Sequence, residues 1–88
     1  MNEFDLMYDE TEETSTRFVG FIGIHSRFDL AITTTQHFFG KKLVYCLQSG
    51  RSSILTAQEC EDTAYICQAF HVSEDEGVEL AAFLAENV

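Results

Sequence analysis

The chain has 88 residues, 45% of them apolar with eight Phe and three Tyr, and 15 acids against five bases for a formal net charge of −10. That length allows one domain with one small core, burying roughly 60–65% of the unfolded surface, and leaves little apolar material to line a deep enclosed pocket. The charge withholds the phosphate attraction on which non-specific nucleic-acid affinity rests and also opposes anionic membrane, so direct binding to either is not expected.

The opening, MNEFDLMYDETEET, has neither a basic n-region nor an apolar h-region and does not read as a secretory signal. Within it, FDLMYD sets Phe4, Leu6 and Tyr8 opposite Asp5 and Asp9, the period-two pattern of a strand. DETEETST follows as an acidic connector. Residues 1–3 and 10–15 are expected to be mobile within a single domain spanning 1–88. RFVGFIGIH is apolar on both faces, Phe18, Ile22 and Ile24 against Val19 and Phe21, which predicts a central strand. RFDLAITT puts Phe28, Leu30 and Ile32 on one side, and KLVYCLQ sets Leu43, Tyr45 and Leu47 opposite Val44, Cys46 and Gln48. SSILTA reads as a short last strand.

Between these runs lie HSR, QHFFGK and SGR, with Gly40 and Gly50 suited to positive φ in hairpin turns. Such short links imply an antiparallel meander. After residue 56 the period changes. Ser73 to Glu76, SEDE, is a capping box. Leu80, Phe83, Leu84 and Val88 then form one stripe, predicting an amphipathic helix over 74–87. TAYICQAF, residues 63–70, fits a short helix as first choice, with a strand as the alternative. The expected fold is α+β: an antiparallel meander sheet of four to five strands with one or two C-terminal helices packed on one face.

The charge is unevenly placed. Residues 1–14 carry six acids and residues 57–88 eight, both without a base, whereas 15–56 hold Arg17, Arg27, Lys41, Lys42 and Arg51 with only Asp29. The longest apolar and glycine run, FVGFIGI, is far short of a membrane span. An odd set of three cysteines in a chain without an export signal points to free thiols in a reducing, cytoplasmic compartment.

TRFVGF, RFDLAITTT, QSGR and the closing AF-x-x-SEDE…ELAAFL together resemble a family of short, acidic, cytosolic proteins of Gram-positive bacteria with no assigned activity. The resemblance covers nearly the whole chain, most specifically at RFDLAI and QSGR. This chain has Thr63-Ala64 where the family carries a Pro-Gly pair, just before Tyr65. The resemblance implies a compartment and a single-domain build and supplies no catalytic residues.

Three constellations are candidate sites. GIHSRFD brings His25, Ser26, Arg27 and Asp29 within a few positions, but an extended chain points Ser26 away from the other three, and no nucleophile elbow is present. A turn with Ser26 and Arg27 at its tip is the stronger reading. In a meander the HSR and SGR turns share one end, where Arg27 and Arg51, with Ser49, Gly50 and His25, form a candidate site for phosphate or carboxylate. The competing account pairs those arginines with the chain's own surplus acids. Cys60, Cys67 and His71 lack the close pairing of structural zinc ligands. No catalytic residue, metal or cofactor is expected. Phe38 and Phe39 adjoin on a turn beside Lys41 and Lys42, so at least one aromatic is a candidate partner contact. The expected function is a small protein-interaction or regulatory module with an unidentified protein partner, working through its acidic surface or a sheet edge. A small anionic-ligand binder is the alternative. The sheet face that the helices leave open is a candidate homodimer surface.

Overall fold

A computed structural model describes residues 3–88. Residues 1 and 2, part of the N-terminal stretch expected to be mobile, lie outside the described residues. Four strands, β1 (Ser15–Ile22), β2 (Arg27–Thr34), β3 (Lys42–Cys46) and β4 (Arg51–Leu55), pair antiparallel in sequence order. A single 3₁₀ turn, Glu59–Glu61, leads into α1 (Thr63–Phe70) and α2 (Glu74–Asn87). The meander and the C-terminal helical hairpin are therefore as the sequence predicts, and residues 63–70 are helix.

Register explains the core. Val19, Leu30 and Cys46 lie side by side, as do Phe21 with Phe28 and Ile32 with Val44. All seven share the face on which the helices pack, and Leu55 closes the row from β4. Cys60 of the 3₁₀ turn, Ile66 and Phe70 of α1, and Leu80, Ala81 and Leu84 of α2 complete the cluster. Among the described residues no polar or charged side chain is buried with them. Each fully buried Leu, Ile or Phe contributes about 1.5–3 kcal/mol relative to exposure, and the eight of these in the cluster, with Val44, Ala81 and two cysteines, make a sufficient but small core.

The helices are defined by their caps. Asp62 accepts the Tyr65 backbone N–H at 3.1 Å to start α1, and His71, in left-handed conformation at φ 57°, ends it. Two residues later the capping box forms as expected: the Glu76 N–H donates to Ser73 Oγ at 3.3 Å, and the Ser73 N–H donates to Glu76 Oε1 at 3.1 Å. So short a link forces α1 and α2 to lie close together, and Gly77, which is buried, faces Cys67 across the contact.

Two expectations are corrected. FDLMYD is not a strand: residues 3–14 carry no regular structure. Alternation marks which side chains share a face, but a strand also needs a neighbour to complete its ladder. Here the segment is turned across the end of the sheet. Glu12 accepts the Gln36 N–H at 3.2 Å, Glu10 lies 3.7 Å from His37, and the Tyr8 and His37 rings are 5.5 Å apart. Secondly, β1 stops at Ile22 and forms an edge of the sheet, not its centre. Phe18 and Ile22 lie on the outer side, which is uncovered, and are 81% and 82% exposed. Of the connector expected to be mobile, Ser15 is the first residue of β1.

Candidate functional site

The first hairpin is organised by a residue far along the chain. Glu79 of α2 accepts the backbone N–H of Ile24 at 2.6 Å, the N–H of His25 at 3.0 Å and the Ser26 hydroxyl at 2.6 Å. The turn itself closes through Gly23 N–H to the Ser26 carbonyl at 2.7 Å. The Ser26 hydroxyl foremost, with the two backbone donors, holds the Glu79 carboxyl below its ordinary range. These three donors make an anion cradle, and the chain's own carboxylate fills it. Gly23 is needed beneath it, since an added Cβ would lie 2.7 Å from Glu79 Oε2.

The hydroxyl, imidazole and carboxylate of GIHSRFD do not converge. Ser26 is committed to Glu79, and Asp29 accepts the Gln48 side-chain amide at 2.8 Å while lying 3.6 Å from Arg27. Gln48 also accepts the Asp29 backbone N–H at 2.8 Å, which ties the two turns at this end together. Arg27 and Arg51 do share that end, but the register sends them to opposite sides of the sheet. Arg27 pairs with Ile22 on the outer side, and Arg51 pairs with Cys46 on the helix side. Gly50 takes φ 69° and donates to the Cys46 carbonyl at 2.9 Å; Ser49 Oγ is buried without a hydrogen-bond partner.

At the opposite end, the loop between β2 and β3 presents the adjoining aromatics differently. Phe38 is half-buried with its ring on the His37 edge at 4.9 Å. Phe39 is 97% exposed and held at φ 55°, a backbone region that a bulky L-residue seldom adopts. Lys41 is engaged with Glu59 at 3.6 Å, while Lys42 is half-buried as the first residue of β3. The Thr56 N–H, with Lys41 nearby, holds the Glu59 carboxyl below its usual range. A shallow cleft runs beside Phe39 toward Ile54 and Tyr65.

The outer side of the sheet carries exposed apolar side chains. Phe18, Ala31 and Tyr45 form one cross-strand row, and Leu43 and Ile54 extend it. Tyr45 is 43% exposed, and among the described residues no helix packs on this side. The charges on this side are the mutually paired Arg27 and Asp29 at one end. The free edge of β1 borders it directly.

The cysteines belong to the packing. Cys46 and Cys60 are buried, and Cys67 is half-buried with its thiol 3.6 Å from the Ser73 carbonyl. Burial pushes the Cys60 thiol up to about 11, so it is neutral at physiological pH. Among the described residues no group of three or more His, Cys, Asp or Glu side chains is placed to hold a metal ion.

Sequence reasoning missed Glu79 as an organiser of the site. Its signal is its spacing, since Glu79, Phe83 and Asn87 recur at four-residue intervals and so share one side of α2. All three face β1: Glu79 on the turn, Phe83 stacked on Phe21 at 4.3 Å, and Asn87 accepting from Arg17 at 3.3 Å.

Among the described residues no helix is long and apolar enough to cross a membrane. Comparison with curated proteins gave no match. Residues 7–86, nearly the whole chain, match the family described as SAV0927-like, and the chain belongs to that family.

Proposed function

We propose that this chain is a small cytoplasmic protein-interaction module of Gram-positive bacteria, binding its partner through the free edge of β1 and the adjoining uncovered side of the sheet. The observation that carries this reading is the exposure of Phe18 and Ile22, at 81% and 82%, on an edge strand. Contiguous apolar surface of this kind is uncommon on a chain that works alone, because water solvates it poorly. An edge strand also offers unpaired backbone donors and acceptors to an incoming strand. The acidic helical side supplies solubility and selects against acidic partners. Binding rather than bond-making is the job, in keeping with a first hairpin whose polar groups are tied up by Glu79 and Gln48.

The test is affinity capture from a native lysate with the full chain, run beside Phe18→Asp/Tyr45→Asp on the outer sheet side and Glu74→Lys/Asp75→Lys on the helical side. A protein captured by the unaltered chain should be lost with the first pair and retained with the second. Loss only on helical charge reversal would move the site to the acidic layer. Equal recovery by all three proteins, or recovery of nothing at low salt, would refute an interaction site on the sheet.

A further inference from the structure

We propose that the N-terminal arm, residues 3–14, docks as an added strand on the β1 edge of a second copy of this chain, so that the module is an arm-exchanged dimer. This rests on the interaction reading above and names the occupant of that edge.

The arm has the alternation of a strand but no neighbour to pair with. Phe4, Leu6 and Tyr8 alternate with Asp5 and Asp9, yet Phe4 is 77% exposed, Leu6 73%, Met7 94% and Tyr8 62%. A segment this apolar loses free energy for as long as it stays in water. Among the described residues of its own molecule, Tyr8 alone of these four meets an aromatic neighbour, His37.

Receptive geometry exists at β1. Natural edge strands are shielded by shortness, lysines, prolines or bulges. β1 has none of these: it runs eight residues, STRFVGFI, in unbroken register with β2 and carries one charge, Arg17. The other edge, β4, is five residues long, begins Arg-Ser-Ser and lies against α1. An added strand beside β1 finds apolar neighbours on both sides: Val19 and Phe21 on the helix side, Phe18 and Ile22 on the outer side. Arg17 gives the arm's acids a counter-charge on β1 itself, within the one stretch, residues 15–56, where bases outnumber acids.

The occupant comes from another copy because the arm is led away from its own edge. From Ser15, beside Thr34, it crosses the end of the sheet to Gln36 and His37, on the side away from the free edge of β1. Extended, these twelve residues reach about 40 Å, more than the roughly 26 Å length of an eight-residue strand. The long axis of 53 Å against 24 and 21 Å matches an arm that leaves the body of the fold. Reciprocal exchange between two chains closes under two-fold symmetry and leaves no unpaired copy of either element.

Sedimentation equilibrium on the full chain tests this, with Leu6→Asp in the arm, Phe18→Lys on the edge, and an equimolar mixture of the two. The unaltered chain should be dimeric at about 100 µM, and each substitution should weaken the dimer by at least about tenfold. The mixture should recover part of the affinity, because one intact arm then meets one intact edge. Deuterium exchange should show β1 amides protected in the unaltered dimer and released by Leu6→Asp, a position outside regular structure whose substitution leaves the fold in place. A chain that stays monomeric to about 1 mM, or a dimer indifferent to Leu6→Asp, overturns the arm exchange. A monomer that still captures another protein through Phe18 would sink this inference and leave the interaction reading standing.

Discussion

Gly77→Ala should destabilise the fold even though it replaces glycine within a helix. In an open helix the change would gain about 1 kcal/mol. Here an added Cβ would fall inside the contact distance of the Cys67 sulfur, and 3.4 Å from its Cβ and 3.6 Å from its Cα. Either Cys67 leaves its rotamer and its contact with the Ser73 carbonyl, or α2 retreats from α1; overpacking of this size costs about 2 kcal/mol. The net loss is about 1 kcal/mol, a fall of about 4–8 °C in Tm for a domain this small. Cys67→Ala removes the obstructing atom, so in that background Gly77→Ala should stabilise by roughly 0.5–1 kcal/mol. Urea unfolding of all four proteins of the cycle, followed by far-ultraviolet circular dichroism under reducing conditions, measures a coupling expected near 2 kcal/mol. Additivity within about 0.5 kcal/mol, or a stabilising Gly77→Ala in the presence of Cys67, would refute the close-packing account.

Four further outcomes are expected. Glu79→Gln and Gly23→Ala should each speed hydrogen exchange at the Ile24 and His25 amides while leaving the α1 amides protected. Glu79 and Glu59 are both held below their ordinary carboxyl range, so what they add to stability is complete above the unfolded-chain value near 4.5 and is lost as pH falls through the lower folded values. Melting temperature against pH should therefore drop in acid with a shallower slope in Glu79→Gln. Cys60 runs the other way: with its folded value raised to about 11, its contribution is complete below the unfolded thiol value and disappears as pH rises toward 11, so Cys60→Ala should flatten the alkaline limb of the same curve. Finally, Phe39→Gly should raise stability by roughly 0.5–1 kcal/mol in thermal melts, since it relieves a left-handed backbone and removes a side chain that packs on nothing.

Much of the fold was legible because its signals are local. The alternation of Phe28, Leu30 and Ile32 told which side of β2 faces inward, and Ser73 with Glu76 marked the start of α2 within one residue. The candidate site was less legible. The meander puts the turns of Arg27 and Arg51 at one end, but the side each takes depends on the parity of two successive registers, and a single residue reverses it. Glu79 looked like one more acid among eight in its third of the chain. Its role depends on which strand α2 crosses.

Local pattern sets the period of each element, the turns between them and thus the order of a meander followed by two helices, because backbone preference and amphipathic spacing act over a few residues. Tertiary structure alone decided that β1 is an edge, that the arm finds no strand to pair with, that α2 brings Glu79 to the first turn, and that one side of the sheet stays bare. Those outcomes depend on which of several apolar surfaces pack together first and best, a competition among distant segments that no local pattern records.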